Sequence, residues 1–482
     1  MMTHLPTGGD RVARPPAGGA TSSGAGDDHG YHRVLVLLTP LDLRGVPTPR
    51  LGAALPRPPA ASLFPTDEVR AIVEEVRGGG DAAVRALTER FDGVRLGSLR
   101  VPVQELGAAR AAVPDALRRA LEMAHDRILA YHRHEPTPAA AFALDGVEVR
   151  RLVRPVGRAG LYAPGGRARY PSTVLMCAVP ARVAGVDELV LCVPPGPDGH
   201  VPTETLAAAA VAGVDEVYAV GGAQAVAAMA YGTETIAPVD VIAGPGNRYV
   251  AEAKRQVAGI VGVPSAFAGP SEVVVIADGS SPAVFAAVDL VVQAEHGPDG
   301  LAWLVTWSPA FADEVAGAVE DLVARSPRRS DLEATLASGG YAVVVDGPEA
   351  ALAVSNTVAP EHLELQVEEG EALLAGVRCA GAVFLGPFAP AAVGDYVAGP
   401  NHVLPTARTA RFASALSVDD FRTHVHAVTM DAAALARLAP AVVALAEAEG
   451  LDAHALSVRL RGAPSGPPGG GAPAALGAEG GP

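Results

Sequence analysis

The sequence is short of lysine, cysteine, aromatic rings and long apolar runs. Of 37 basic side chains only one is lysine, Lys254, and the rest are arginine. Against them stand 53 acidic residues, a formal net charge of −16. A nucleic-acid binder needs a basic face to meet phosphates, and this balance argues against one. The three cysteines, Cys177, Cys192 and Cys379, cannot build a disulfide framework. An odd, small count fits a reducing cytosol. No stretch approaches the roughly 18 consecutive apolar residues of a membrane span. The longest early run, Val34 to Leu38, is short for a signal-peptide core, and Asp10, Asp27 and Asp28 argue against a transit peptide. These absences describe a soluble cytoplasmic protein.

What is present is core-forming material. Hydrophobic residues make up 49% and charged residues 19% of the 482. At about 150 residues per domain the length fits roughly three domains. Glycine (54) and proline (42) are abundant, and the low lysine content reads as codon bias in a GC-rich genome. A lone glycine is therefore a weak structural signal here. Residues 1–30 and Ala463 to Pro482 have too little apolar surface to offset chain entropy and read as disordered. Residues 47–65 are dotted with proline and read as a linker or extended arm.

Order begins near Thr66. Val69, Ile72, Val73 and Val76 fall on one helical face, which Gly78-Gly79-Gly80 interrupts. Asp81 is placed to cap the next helix, carrying Val84, Leu87 and Phe91. From about 150 to 390 short apolar strands alternate with helical stretches: Glu188–Val193, Glu216–Val220, Val239–Ala243, Val273–Ala277, Leu301–Thr306, Tyr341–Val345 and Ala382–Leu385. That alternation predicts βαβ units and mostly parallel strands, enough for two sheets. After residue 430 Leu435, Leu438, Val442 and Leu445 predict a helix that stops at Gly450.

Two glycine-rich turns each follow a strand and open a helix: Gly221-Gly222-Ala223-Gln224 and Gly244-Pro245-Gly246-Asn247. Such turns aim bare N–H groups and a helix N-terminus at an anion. Neither has the GxGxxG spacing, and by composition alone an ordinary tight βα turn of a Gly-rich protein is the favoured reading. Gln293 and His296 share a face at the end of one predicted helix, a weak metal signal. Glu361 and His362 place an acid beside a base where Pro360 disturbs a helix. Asp395, Tyr396, Asn401 and His402 lie in a polar loop, and Glu449 and His454 flank Gly450.

Together the segments are specific. GRAGLYAPGG, YPSTVLM, VGGAQAVAAMAYGTE, GPGNRYVAEAKRQV, GPSEVVVIAD, QAEHGPD, APEHLEL and GDYVAGPNHVLPT occur in order. The sequence resembles the histidinol dehydrogenase family from about Leu41-Asp42-Leu43-Arg44 to Arg461. The resemblance implies a four-electron oxidation of L-histidinol to L-histidine through L-histidinal, ending histidine biosynthesis, with two NAD reduced in turn. It implies an α/β fold with two incomplete Rossmann-like domains of mostly parallel sheets, plus small helical and extended terminal segments. It further implies a homodimer whose active site is completed by the partner's C-terminal segment.

Residue by residue, the resemblance gives one Zn2+ per subunit to Gln293, His296, Asp395 and His454. Two imidazoles and two oxygen donors suit that cation. NAD falls to Tyr162, Gln224 and Asn247. Substrate falls to Ser271, His402 and Glu449, besides the metal residues and the Glu361–His362 pair. His362 reads as the base, its ordinary range lying near neutral pH, and Glu361 as the group that activates water for aldehyde hydration.

The expected domains are a disordered extension (1–38), an N-terminal arm (39–65), a discontinuous larger α/β domain (66–160 and 271–415), an NAD-binding domain (161–270), a C-terminal helical dimer segment (416–462) and a disordered tail (463–482). Rival readings are a paralogue acting on another alcohol, a zinc hydrolase and a catalytically silent scaffold. A cysteine thiohemiacetal route is a further alternative, although all three thiols sit in apolar contexts. The stretch Tyr131-His132-Arg133-His134-Glu135 is unusually rich in histidine for the family.

Overall fold

The computed structural model describes residues 36–56, 64–135, 140–165, 169–264, 271–295, 297 and 299–462. The stretches 1–35 and 463–482, read above as disordered, and His296 lie outside the described residues. The described residues from Leu37 onward fall in one compact unit.

The strands are β1 (Thr39–Asp42), β2 (Ala141–Leu144), β3 (Val147–Pro155), β4 (Arg158–Tyr162), β5 (Glu188–Cys192), β6 (Glu216–Tyr218), β7 (Val241–Ala243), β8 (Glu272–Ala277), β9 (Leu301–Thr306), β10 (Gly340–Val344), β11 (His362–Gln366), β12 (Ala382–Leu385) and β13 (Arg422–Met430). The helices are α1 (Thr48–Ala54), α2 (Thr66–Asp92), α3 (Val103–Ala112), α4 (Asp115–Arg133), α5 (Pro171–Ala184), α6 (Thr203–Val211), α7 (Gly222–Tyr231), α8 (Arg248–Val257), α9 (Ala283–Ala294), α10 (Pro309–Arg325), α11 (Arg329–Gly339), α12 (Pro348–Val358), α13 (Gly370–Leu374), α14 (Ala391–Tyr396), α15 (Ala432–Ala448) and α16 (Asp452–Gly462).

Among the described residues two sheets are wholly parallel, one ordered β1-β10-β9-β8-β11-β12 and one ordered β6-β5-β4-β7. Parallel strands are joined by helices that cover both faces, so their sequences run apolar without alternation. β8 and β9 are buried at every position. In the larger sheet Val273, Val275, Leu304 and Ala342 face α9, α10 and α11. Val274, Ile276, Trp303, Val343, Leu363 and Leu365 face α1 and α12 on the other side.

Several expectations change. Leu37 and Leu38, placed in the disordered extension, are buried in the core of the larger sheet. The expected N-terminal arm (39–65) holds a strand and a helix: β1 is an edge of that sheet, and α1 packs on α12. Residues 66–133 were grouped with the larger sheet, but their helices pack on the smaller one. α2 joins Tyr162, Val190 and Val226 in one core, and α3 and α4 join α5 and α6 in another. Amphipathic faces mark these helices as core-covering and cannot name the sheet they cover. A third sheet, antiparallel β13-β3-β2, was not anticipated. Its strands carry no buried position, so no clean alternation marks them.

α2 bends at Gly80, whose φ of 51° and ψ of −139° lie outside helical space. The Glu234 carboxylate accepts the Asp81 N–H there at 2.7 Å, so the cap comes from Glu234. The Asp81 side chain instead accepts the Thr235 hydroxyl. A methyl group at Gly80 would collide with Glu234, whereas one at Gly78 meets nothing. Gly80→Ala should therefore lose about 1–3 kcal/mol in denaturant unfolding. Gly78→Ala should gain about 0.5–1 kcal/mol, and equal effects at the two sites would contradict the bend.

Candidate active site

The glycine-rich turns meet where the smaller sheet's strands end. Tyr162 is the last residue of β4; Gly221-Gly222 leads from β6 into α7, and Gly244-Pro245-Gly246-Asn247 leads from β7 into α8. Ligands of open parallel sheets bind outside such carboxyl ends. A cavity of about 1050 Å³ lies here, and Tyr162, Gln224 and Asn247 all line it. The Tyr162 hydroxyl accepts the Gly222 N–H at 3.1 Å. The Asn247 side-chain oxygen caps α8, accepting Tyr249 N–H at 3.0 Å and Val250 N–H at 3.1 Å. Gln224 is buried, and its side-chain oxygen has no hydrogen bond among the described residues.

The second turn is held from beneath. Gly244 sits at φ 111°, and a methyl group there would strike the Tyr162 backbone. Its carbonyl accepts a hydrogen bond from Lys254, the single lysine of the chain. Burial pulls that ammonium down to about 8. The neighbouring thiols of Cys177 and Cys192 are pushed up to about 12 by burial. Thiols so raised are poor nucleophiles at neutral pH, which counts against a thiohemiacetal route through either one.

A second cluster forms at the ends of β8 and β11. α12 stops at Val358, Ala359 turns left-handed at φ 51°, and His362 begins β11 two residues after Pro360. Glu361 Oε2 accepts the Ser271 hydroxyl at 2.6 Å and the Glu272 N–H at 3.1 Å. His362 lies with Nδ1 3.7 Å from Glu361 Oε2 and Nε2 3.5 Å from Asp395 Oδ1. Neither ring nitrogen makes a hydrogen bond among the described residues. Burial opposes charge on this imidazole, but the Glu361 and Asp395 carboxylates outweigh it and raise the group to about 9. The near-neutral value expected from sequence gives way to these two carboxylates.

Asp395 sits on the short helix α14, where a loop was expected. Its backbone carbonyl accepts His402 Nδ1–H at 2.8 Å, and His402 Nε2 pairs with the Thr173 hydroxyl at 3.3 Å. Burial pulls His402 down, so it is a neutral ring with a fixed tautomer. Gln293 is buried near the end of α9, and its amide nitrogen has no partner among the described residues. An amide's oxygen and nitrogen trade places when the side chain turns over, so the unpartnered end of Gln293 can present its oxygen to a divalent cation, as the Asp395 carboxylate can.

The structure thus gathers Ser271, Glu361, His362, Asp395 and His402. It leaves Glu449 and His454 exposed on the α15–α16 hairpin, where neither side chain makes a hydrogen bond or ion pair among the described residues. Glu272, Thr173 and Lys254 are parts that sequence reasoning missed. Glu272 opens an otherwise apolar strand, and that anomaly was readable.

Glu272 is buried beside Glu361, and burial, with the neighbouring negative charge, pushes it up to about 8. Between its ordinary value near 4.5 and about 8 the folded state holds a proton that the unfolded state has lost. Stability therefore falls as pH rises through that window. Glu272→Gln removes this slope, so its stability relative to wild type should rise by a few kcal/mol from pH 5 to pH 8. A constant difference across those pH values in urea unfolding would contradict the buried neutral acid.

The model of the family described as histidinol dehydrogenase matches residues 59–462. The chain is 52% identical to the histidinol dehydrogenase of Synechococcus sp. over 396 residues, covering 82% of this chain and 91% of that protein. It is 50% identical to that of Gluconobacter oxydans over 398 residues, covering 82% and 92%. The crystal structure of histidinol dehydrogenase from Elizabethkingia anophelis matches with a TM-score of 0.84 at 35% identity, covering 88% of this chain and 98% of that one. With the motifs in order, the parallel sheets and these matches, the chain belongs to the histidinol dehydrogenase family.

Proposed function

We propose that the chain oxidises L-histidinol to L-histidine through L-histidinal, reducing two NAD in turn, as the last step of histidine biosynthesis. The observation that carries this reading is the burial of Glu361 and His362 side by side against Ser271 and Asp395. When bound, NAD supplies the hydride acceptor and a zinc ion would grip the substrate's imidazole and amine. Tyr162, Gln224 and Asn247 would hold NAD; Gln293, His296, Asp395 and His454 would hold the metal. Ser271, His402 and Glu449 would complete the substrate contacts.

Hydride can leave the alcohol carbon only as the hydroxyl proton is taken, and His362 is the base in place to take it. Once Asp395 serves a cation, its share of the pull toward the charged ring is lost. His362 then gives up its proton nearer neutral pH. The aldehyde must be hydrated before a second hydride leaves. Ser271 and the Glu272 N–H occupy Glu361 Oε2, while Oε1 makes no hydrogen bond among the described residues and can activate water. His362 again takes the hydroxyl proton in the second oxidation.

The homodimer rests on what one chain leaves uncovered. Phe142 and Leu144 on β2, Val425, Val428 and Met430 on β13, and Leu445, Leu456 and Leu460 on the hairpin are exposed. So much apolar surface in one region marks an interaction face. A second copy covering it would bring Glu449 and His454 to the neighbouring site. No helix among the described residues is long and apolar enough to cross a membrane, in keeping with the cytoplasmic reading.

The measurement that tests the reaction is NADH formed per histidinol consumed. It should be about two and be abolished by a chelator; a yield of one would indicate an ordinary alcohol dehydrogenase. His362→Asn should slow histidinol oxidation about 10²–10⁴-fold. Glu361→Gln should slow histidinal conversion more than the first oxidation, and histidinal turnover at the wild-type rate would remove Glu361 from the hydration step. His362→Asn and His454→Asn chains should each be inactive alone yet recover activity when co-assembled, because one mixed site is then intact. No recovery would mean that each site is built from a single chain.

A further inference from the structure

Beneath the Glu361–His362 pair lies a second buried polar cluster that no step above uses. β11 alternates, so His362, Glu364 and Gln366 share one face while Leu363 and Leu365 fill the core opposite. The α9 residues Asp289 and Gln293, four apart, share the helix face packed against it. Gln366 Nε2 donates to Asp289 Oδ2 at 2.8 Å and to Glu364 Oε2 at 2.9 Å. Glu364 Oε1 accepts the Ala391 N–H at 2.9 Å, the first residue of α14. Asp289, Glu364 and Gln366 are all buried.

Two adjacent carboxyls in an apolar layer are costly as charges, and natural interiors keep such groups only when they are paired. Burial, with the hydrogen bond to and charge of the Glu364 carboxyl, pushes Asp289 up, which favours a protonated Asp289 beside Glu364. The cluster touches the three segments that carry the site: β11 with His362, α9 with Gln293, and α14, whose Asp395 lies one turn beyond Ala391.

We infer that Asp289, Glu364 and Gln366 are positioning residues: their hydrogen bonds set α9 and α14 on β11 so that Gln293 and Asp395 meet one ion beside His362. The inference rests on the metal reading proposed above. Outer partners of this kind typically hold about 10–100-fold in metal affinity.

The test is zinc affinity of metal-free protein, read by competition with a chromophoric chelator, alongside thermal unfolding of the same samples. Glu364→Met and Asp289→Ala should bind zinc about 10–100-fold more weakly than wild type. Asp289→Asn, which keeps an acceptor for Gln366 and a donor for Glu364, should bind within about threefold. Leu363→Ala, on the opposite face of β11, is the control for lost stability: it should lower the unfolding temperature and leave zinc affinity unchanged. If Leu363→Ala weakens zinc as much as Glu364→Met does, the cluster is only part of the core and the inference falls. If wild type binds zinc tightly and Glu364→Met and Asp289→Ala bind equally well, the inference falls while the metal reading stands. If wild type itself binds no zinc, both fall.

Discussion

One oxygen of Glu361 takes the Ser271 hydroxyl and the Glu272 amide, and so closes the ends of β8 and β11 on each other. The closure is possible because Pro360 and the left-handed Ala359 end α12 abruptly, letting the chain enter β11 at His362. It has an electrostatic consequence. Three ionisable groups, Glu272, Glu361 and His362, are buried within one turn of chain from two strand ends. Glu272 becomes neutral in the ordinary pH range, and the imidazole becomes the place where charge is held. Environment, and not residue type, divides the work among these groups.

The cofactor side obeys a different constraint, that of backbone proximity. β4 and β7 run side by side, and the turn after β7 comes back across the end of β4. Gly244 is required because its neighbour there is the Tyr162 main chain. Lys254, nearly two turns into α8, donates to the Gly244 carbonyl and pins the turn. A buried lysine in an Arg-dominated chain is costly, and arginine's broad fork would not fit as a point donor to a single carbonyl. The single lysine therefore fits better as a structural choice than as a leftover of codon bias.

Much of this was legible in the sequence, and the reasons differ by part. Parallel strands announced themselves because burial on both faces leaves unbroken apolar runs, as in Val273–Ala277 and Leu301–Thr306. β11 did not, because His362, Glu364 and Gln366 interrupt it, and those interruptions are the site. β3 and β13 did not, because Arg150, Arg151, His424 and His426 sit in a sheet with little core behind it. The glycine-rich turns were visible as turns. That Tyr162, Gln224 and Asn247 would share a cavity came only from the resemblance, since they lie on three separate strand–helix junctions. The His-rich stretch 131–135 resolves into packing: His132 is buried, pairs with Glu135 at 2.7 Å and faces Asn401, so it braces the loop that carries His402.

The net charge of −16 gains a meaning once these contacts are known. Arginines near the smaller sheet are committed to carboxylates: Arg158 to Glu188 and Glu216, Arg182 to Asp215, and Arg169, at the cavity rim, to Glu204. The cavity between the glycine-rich turns also carries Asp92 and Asp198. An anionic dinucleotide entering it meets little uncommitted positive side-chain charge. What it would meet instead are the N-terminal ends of α7 and α8, whose dipoles favour negative charge although Tyr162 takes the Gly222 N–H and Asn247 takes those of Tyr249 and Val250. These dipoles act over the first turn only, so they reward a phosphate seated on the turns themselves and do little for anions elsewhere on an acidic surface. On the proposed reading, excess negative charge and binding of a negatively charged cofactor are compatible, because the glycines would let phosphates approach the turns closely.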